Sequence, residues 1–305
     1  MTAEGVLIAD ALVRAVPLIL TGLAVGLSFR AGVFNLGAEG QLLVGAAASA
    51  AVSIRLSGLA GFLVLPIALT AGAIAGALWA AFAAELKRRF HVLEIISTIM
   101  LNFVAIHLVS FLVRGPMQEP THIYPQSVTI AESSRLPIVL ANTRLHAGFI
   151  IALALALVLA WVVKRTEVGF RIRAIGASPM AAESAAMIDV SRMSWAVFCC
   201  SGAIAGLAGA IEVSGVTFAL YENISPGYGY TAIAVALIAG LSPVGIVLSG
   251  IFFGTLETAA SALQRDFAIP SSIAAMIEAS LILATLVFAA IRKRLTLLAR
   301  REKLA

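Results

Sequence analysis

The feature that most constrains this chain is a succession of apolar stretches, each long enough to cross a membrane. A transmembrane helix needs about 20 mostly apolar residues, and such stretches follow one another along the sequence. Regular spans are predicted at residues 6–28, 38–54, 58–84, 92–113, 147–163 and 193–215. A less regular cluster follows, at residues 229–241, 244–260 and 272–290. We therefore expect an all-α, polytopic transmembrane bundle of about eight or nine spans, some of them short or broken.

The composition excludes a soluble domain held by a lone anchor. Hydrophobic residues make up 61% of the chain and charged residues 12%, whereas a soluble domain has about 25% charged residues. The cysteines, Cys199 and Cys200, are neighbours in an apolar run, which gives neither a disulfide framework nor a metal-binding spacing. The first apolar stretch is preceded by Glu4 rather than by basic residues, so we expect a retained helix.

The basic residues predict the orientation, because Lys and Arg accumulate in short cytoplasmic loops. With an external N-terminus, the following lie inside: Arg30, Lys87, Arg88, Arg89, Lys164, Arg165, Arg171, Arg173, Arg192 and the tail from Arg292 to Lys303. Fewer lie outside, namely Arg55, Arg114, Arg135, Arg144 and Arg265. We therefore expect an inner-membrane protein with a cytoplasmic C-terminus. The basic residues flank apolar spans and form no patch with aromatics, so no nucleic-acid partner is expected.

Two polar segments interrupt the spans of what we expect to be one domain, residues 1–305. Residues 114–146 are predicted to form an irregular or partly helical outer loop, and residues 164–192 an inner loop. Small residues at four-residue spacing allow membrane helices to approach closely. Such pairs are Gly22/Gly26, Gly72/Gly76 and Gly202/Gly206.

A glycine-rich polar segment, residues 29–41, lies between the first two spans. Polar backbone at membrane depth is tolerated only where protein or a water-filled cavity satisfies it. Asn35, Glu39 and Gln41 are therefore candidates to line a solute path or to lock the start of the second span. The alternative is that Asn35 and Glu39 only cap this span at the cytoplasmic interface.

The inner loop is predicted to contain a short Ala-rich helix. Ser178 is a suitable N-cap and Pro179 a suitable first helical residue, so the helix should run towards Ile188. A helix too small for its own core needs something to pack against. A groove of a cytosolic partner and the lipid surface both suit its basic flanks.

Several polar residues lie in or beside apolar spans, where a charge is costly and usually faces protein or water. They are Asn102, Glu94, Glu212, Glu257 and Glu278. Asp10 and Arg14 have the spacing of an ion pair on one helix turn, which we interpret as charge balance.

These segments resemble the permease subunits of ATP-binding-cassette (ABC) importers for branched-chain amino acids, ribose-like sugars and nucleosides. The resemblance is strongest to the subgroup that works with basic-membrane-protein-type binding lipoproteins. It covers nearly the whole chain. It rests on Gly32 to Gln41, Ser97 to Asn102, Arg114-Gly115-Pro116, Pro125-Gln126-Ser127, Gly169 to Ala186, and Gly227-Tyr228-Gly229-Tyr230 through Leu241-Ser242-Pro243.

The resemblance implies a subunit that carries a nucleoside or simple sugar by alternating access. The expected partners are a second homologous permease, a cytosolic ABC ATPase and an external binding protein or lipoprotein. ATP and Mg²⁺ are expected on the ATPase, since the sequence lacks a P-loop. The expected solute-path residues are Asn35, Glu39, Gln41 and Asn102. The residues expected to couple to the ATPase are Gly169, Arg171, Arg173, Gly176, Ser178, Pro179 and Ala182.

Two other classes of membrane protein are alternatives to a permease subunit. An intramembrane enzyme would need a nucleophile with a base or a metal cluster, and the four histidines show no such spacing. A secondary transporter driven by an ion gradient fits better, because broken helices and intramembrane carboxylates occur there as well. It would not, however, need a cytosolic docking helix.

Overall fold

The computed structural model describes residues 3–186 and 188–267, together with eight separate helical residues between 273 and 291. The predicted span 272–290 and the basic C-terminal tail therefore fall largely outside the described residues. The described chain is helical and shows no sheet beyond isolated bridges. Its helices are α1 (Ala3–Arg30), α2 (Ala38–Arg55), α3 (Gly61–Phe90), α4 (Glu94–Arg114), α5 (Gly148–Arg165), α6 (Glu167–Ala177), α7 (Pro179–Ala186), α8 (Val190–Glu212), α9 (Tyr228–Ile238) and α10 (Pro243–Phe267).

Six helices in the described part of the chain are long and apolar enough to cross a membrane. They are α1, α3, α4, α5, α10, and α8 extended by a π-helical turn, Val213–Thr217. The predicted spans at 38–54 and 229–241 correspond to α2 and α9, and neither helix alone is both long and apolar enough to cross a membrane. α2 carries Glu39 and Gln41 in its first turn, and α9 has only 11 residues. Most of α2 is buried, so protein rather than lipid surrounds it.

Glycines bring α2, α3 and α8 into close contact at the centre of the bundle. A Cβ added at Gly206 would overlap the carbonyl oxygen of Gly72, and one added at Gly76 would overlap that of Gly202. Gly45 of α2 meets Gly206 in the same way. Backbones this close leave no room for side chains, which confirms the predicted packing role of the two pairs in α3 and α8.

Residues 115–147 form a cap over one end of the bundle. The cap contains a 3₁₀ turn, Glu132–Ser134, and is otherwise irregular, as predicted for the outer loop. Its backbone is bonded to the segment that follows α8: the amide of Ser127 donates to Leu220 (2.7 Å) and that of Ile130 to Phe218 (2.8 Å). These bonds fix the cap to the bundle. We call this end the cap end.

The opposite end carries α6 and α7 and most of the basic residues of the predicted inner loops. The end of α3, with Lys87 and Arg88, lies beside Glu183 of α7 and the start of α8 around a cavity of about 430 Å³. Lys87 Nζ also binds Glu94 Oε1 at 2.8 Å, which joins α3 to α4. We call this end the α6–α7 end. α1 runs towards it, and Arg30 ends that helix there.

Candidate functional site

The connector between α1 and α2, residues 31–37, turns back into the bundle. The side-chain amide of Asn35 (Nδ2) donates to Ser201 Oγ (2.8 Å), and that hydroxyl donates to the carbonyl of Ala24 (2.7 Å). At 1.5 Å per residue, Ala24 lies about 9 Å before the end of α1, and Ser201 lies about 16 Å beyond the start of α8. α2 therefore begins deep inside the bundle, and not at its surface.

α9 begins beside α2 at the same depth. The carboxylate of Glu39 accepts a hydrogen bond from the backbone amide of Gly229 at 2.7 Å, in the first turn of α9. The far end of α9 lies at the α6–α7 end, where the guanidinium of Arg30 donates to the carbonyl of Leu241 at 2.6 Å. α2, with 18 residues, and the shorter α9, with 11, thus start together and run to opposite ends. A carboxylate at a helix N-terminus is stabilised by the helix dipole.

A polar lock, formed by Asn35, Gln41, Asn102 and Ser201, holds the start of α2. Asn35 and Gln41 exchange two amide hydrogen bonds of 2.9 and 3.0 Å, and Asn35 Oδ1 also accepts from the amide of Gly37. Both side chains are buried. Their hydrogen-bonding groups are thus directed at protein partners, which is what an irregular backbone at membrane depth requires.

Asn102 of α4 completes the lock. Its side-chain oxygen accepts from the amide of Gly40 (2.9 Å), and its nitrogen donates to the carbonyl of Leu36 (2.9 Å) and to the hydroxyl of Tyr230 (3.3 Å). A side chain at position 40 would press on Asn102, so only glycine allows this approach. The side-chain amide of Asn102 therefore links the connector, α2 and α9 to α4.

Glu39 differs from the other three predicted path residues because it also lines a cavity. This cavity of about 280 Å³ lies between α2, α4 and the segment before α9, and its polar wall includes His107, Ser110 and Ser225. Glu39 is 4% exposed. Among the four predicted residues, Glu39 lines this cavity and also binds the amide of Gly229, whereas Asn35, Gln41 and Asn102 direct their side chains at protein partners.

The predicted coupling residues lie on α6 and α7. Thr166 caps α6 by accepting from the amide of Gly169 (3.1 Å), and a Cβ at Gly169 would overlap the carbonyl of Val162, so α6 folds tightly against α5. Ile172 is buried, whereas Arg171 and Arg173 are exposed. α6 is therefore amphipathic, with its basic side free.

The short helix predicted after Ser178 is present as α7. Ser178 Oγ accepts from the amide of Ala181 (3.3 Å), and Pro179 is the first helical residue, as expected. Ala182 is buried with Ile175 and Ile188 in a small apolar cluster. α7 is thus held against α6 and the start of α8, while Pro179 and its neighbours remain exposed.

The two sequence motifs meet directly. Gly176 of α6 packs so closely on the backbone of Arg30 that a Cβ at position 176 would overlap the Arg30 carbonyl oxygen. A Cβ added at Gly32 would lie 3.6 Å from the Cα of Gly176. Gly32 has a φ of +74°, which glycine adopts without strain. This contact joins α6 to the connector, which in turn is joined to the polar lock.

Sequence reasoning missed Ser201, Tyr230 and the side-chain role of Arg30. Ser201 lies in a helix rich in small residues, where a serine gives no signal of its own. Asp10 and Arg14 do not form the ion pair that their spacing predicted; with Glu212 they line a polar cavity at the cap end. Among the described residues, no group of three or more His, Cys, Asp or Glu side chains is arranged to hold a metal ion.

Comparison with known proteins gave a family and several named relatives. Residues 7–291 match the family described as "Branched-chain amino acid transport system / permease component". The "Glucose ABC transporter permease protein TsgB13" of Haloferax volcanii is 38% identical over 90% of this chain and 74% of its own length. The "Guanosine ABC transporter permease protein NupP" of Bacillus subtilis is 37% identical over 88% and 77%. The "Nucleoside ABC transporter permease protein NupB" of Lactococcus lactis is 29% identical over 87% and 75%. No solved structure matched.

Proposed function

The chain belongs to the family of permease components of branched-chain amino acid transport systems, and we propose that it carries a nucleoside or simple sugar across the inner membrane. It is a multi-pass membrane protein and an ABC permease subunit, as its family and its relatives are. The relatives named for guanosine, nucleoside and glucose support this solute range. Nucleoside ranks first and simple sugar second. The family match favours this function over a secondary transporter.

The proposed topology has eight crossings within the described chain. Six are the long apolar helices. The other two are broken crossings: the connector with α2, and residues 218–227 with α9. The basic ends of α3 and α5 at the α6–α7 end support a cytoplasmic location for that end. The N-terminus and the cap then face outside. The span predicted from sequence at residues 272–290 would be a ninth crossing and would place the C-terminus in the cytoplasm, with residues 1–305 forming one permease domain.

The proposed assembly divides the work between chains. This chain provides the membrane path, together with a second homologous permease. ATP and Mg²⁺ bind to a cytosolic ABC ATPase, and an external binding protein delivers the solute to the cap. The exposed basic side of α6 and the exposed start of α7 form the surface proposed to contact the ATPase. Its exposed residues are Arg171, Arg173, Gly176, Ser178 and Pro179, whereas the buried Gly169 and Ala182 hold α6 and α7 in position beneath it.

One observation carries the proposed mechanism: Gly176 of α6 packs on the carbonyl of Arg30, where the connector begins. When the ATPase subunits close, α6 and α7 move with them and displace the connector. The polar lock then transmits this displacement to the starts of α2 and α9, beside Glu39. Such switching needs ligands that bind the two states differently, and ATP and the loaded binding protein supply that difference.

Reconstitution tests the proposed function. The chain, its partner permease, the ATPase and the binding protein are placed in vesicles, and uptake of labelled guanosine and glucose is followed. Uptake is expected to require ATP. Arg173→Glu, on the exposed side of α6, should abolish both uptake and solute-stimulated ATP hydrolysis, because it reverses the charge offered to the ATPase.

Arg55→Glu is the matched control, since it makes the same charge change at the end of α2, far along the chain from α6. This variant should transport normally. Uptake driven by an ion gradient in vesicles without the ATPase would reject the proposed function in favour of a secondary transporter. Equal uptake by Arg173→Glu and Arg55→Glu would reject the coupling surface.

A further inference from the structure

We propose that a second cavity, within this one subunit at the cap end, binds a small uncharged solute with neighbouring hydroxyl groups. We call it the charged cavity. It encloses about 290 Å³, close to the lower end of the range for ligand pockets. It lies between α1, the end of α8, the cap and α10. The charged and phenolic side chains that line it are Asp10, Arg14, Arg144, Glu212, Tyr221, Tyr228 and Arg265. This inference rests on the proposed function, because it names a subsite for the same solute.

The charged groups of the cavity interact at longer range, Glu212 with Arg14 and Arg144, but they form no close ion pair. No ion pair within 4 Å involves Asp10, Arg14, Arg144, Glu212 or Arg265 in the part of the chain that the structure describes. Charged groups elsewhere in the protein do pair, for example Arg114 with Glu222 at 2.6 Å and Lys87 with Glu94 at 2.8 Å. Charged groups without a close partner are costly beside a membrane, because attraction at longer range does not replace their hydrogen bonds. The arrangement is therefore suited to a polar occupant, which would supply the missing hydrogen bonds.

The floor of the cavity holds the strongest signal. Glu212 is 4% exposed and lines the cavity, yet its carboxylate accepts no hydrogen bond from any described residue. Beside it, Tyr228 is 7% exposed, and its hydroxyl likewise has no hydrogen-bond partner among the residues described. Buried polar groups are normally hydrogen-bonded. The Glu212 carboxylate can accept a hydrogen bond and the Tyr228 hydroxyl can donate or accept one. Together they are complementary to a hydroxyl group of a ligand.

The mouth of the cavity has a different chemistry. Arg144, Tyr221, Asn223 and Arg265 are exposed there and offer guanidinium, phenol and amide groups. Guanidinium and amide groups donate to carbonyl, ring-nitrogen and hydroxyl acceptors, and a phenol ring packs on a flat ring. The two carboxylates, Asp10 and Glu212, offset two of the three guanidinium charges, which leaves little net charge to hold a phosphate. A neutral ring with hydroxyl groups, such as a nucleoside or a hexose, fits floor and mouth together.

The charged cavity also adjoins the one that contains Glu39, because Asn223 lines both. Asn223 has a φ of +58°, a conformation that asparagine tolerates better than most residues. A solute released at the cap would meet the charged cavity first and Glu39 next. The cavity is thus placed as an entry subsite on the external side of the proposed path.

Direct binding tests this inference separately from transport. The assembled transporter, without its binding protein, is placed in nanodiscs, and binding of tritiated guanosine and glucose is measured. Saturable binding of at least one is expected. Glu212→Gln should weaken it at least tenfold, since a hydrogen bond to a charged group is lost, and Tyr228→Phe about threefold or more.

Matched controls make the same changes on the exposed cap, outside the cavity. Glu132→Gln and Tyr124→Phe should bind as the unchanged protein does. Unfolding temperatures of all variants are compared, and Tyr228→Phe keeps the test valid if Glu212→Gln folds poorly. Excess inorganic phosphate should not displace the bound solute.

Three results would overturn the inference. They are wild-type affinity in both cavity variants, displacement by phosphate, which would indicate an anion site, and absence of guanosine and glucose binding in a complex that transports one of them. In each of these cases ATP-dependent uptake by the reconstituted system would still support the proposed function. Failure of that uptake together with intact, Glu212-dependent binding would reject the proposed function and keep the cavity.

Discussion

The polar lock and the charged cavity use polar residues in opposite ways. In the lock, Asn35, Gln41 and Asn102 direct their amides at protein partners within 3.3 Å. In the cavity, Glu212 and the arginines around it form no close ion pair among the described residues. Satisfied buried networks rigidify a structure, whereas open polar groups in a cavity are a cost that a ligand can offset. The comparison suggests that the lock keeps a shape and the cavity receives a solute.

The largest expected effect is the loss of the lock. Gln41→Leu keeps the size of the side chain and removes both hydrogen bonds to Asn35, leaving buried amide groups incompletely bonded. We expect the free energy of unfolding to fall by about 2 to 3 kcal/mol, measured by detergent-induced unfolding. Gln264→Leu makes the same change on an exposed position of α10 and should have little effect. Equal losses in both would show that the lock contributes nothing.

The next effect concerns the cap above the cavity. Burial lowers the pKa of His146, which lies just before α5, to about 4. The unfolded chain binds this proton below about pH 6.5, whereas the folded chain does not bind it until about pH 4. The free energy of unfolding is therefore little affected by His146 above about pH 6.5, and it declines as the pH falls below that value. Between pH 7 and pH 5 the loss is about 2 kcal/mol.

Unfolding at both pH values measures this loss. His146→Asn should remove the pH dependence, because asparagine has no group that titrates in this range and its oxygen can replace Nδ1 as acceptor from Gly148. His122→Asn, on an exposed histidine of the cap, should leave the pH dependence as it is. Unchanged pH dependence in His146→Asn would mean that His146 is not the group responsible.

A smaller effect, on transport, tests the link between α6 and the connector. Gly176→Ala places a methyl group against the Arg30 carbonyl and should push the two backbones apart. We expect ATP-dependent uptake to fall about tenfold, equivalent to about 1.4 kcal/mol, while ATP hydrolysis becomes less dependent on solute. Gly58→Ala adds the same methyl group where no atom lies within 4 Å and should transport normally. Normal uptake by Gly176→Ala would show that the contact between α6 and the connector does not contribute to transport.

The smallest expected effect concerns the cost in stability of Glu212 in the charged cavity. Glu212→Gln removes a buried charge that has no close ion-pair partner in the described chain, so it should raise the unfolding temperature slightly, by about 2 °C. Binding sites commonly show this exchange of stability for function. A clear fall in the unfolding temperature would mean that Glu212 is structural, like the lock. Asp266→Gln, at the exposed end of α10, supplies the baseline.

The sequence predicts the local features of this fold well. Apolar length predicts α1, α3, α4, α5 and α8 because a membrane crossing depends on each segment alone. The Ser178-Pro179 pair predicts the start of α7 for the same reason, since an N-cap acts within one turn. The glycine pairs of α3 and α8 also follow from spacing, although their partners do not.

Contacts between distant segments could not be predicted from one sequence. Asn35 and Gln41 stand out as polar residues at membrane depth, but nothing local indicates that Ser201, 166 residues away, completes their network. Asp10 and Arg14 suggest a pair within one helix turn, whereas the fold places Glu212 and Arg144 around the same cavity. The set of residues that lines the proposed solute cavity therefore depends on the packing of α1 against α8 and the cap.

The most direct test of the central claim measures whether α7 and the connector move together. Cys199 and Cys200 are replaced by serine, and spin labels are placed at the exposed positions Phe34 and Met180, or at Phe34 and Leu140 of the cap. Pulsed electron paramagnetic resonance then gives both distances in the assembled transporter, with and without ATP under conditions that block hydrolysis. The account predicts an unchanged distance from Phe34 to Met180 and a changed distance from Phe34 to Leu140. A changed first distance with a constant second one would contradict it, because α7 would then move without the connector.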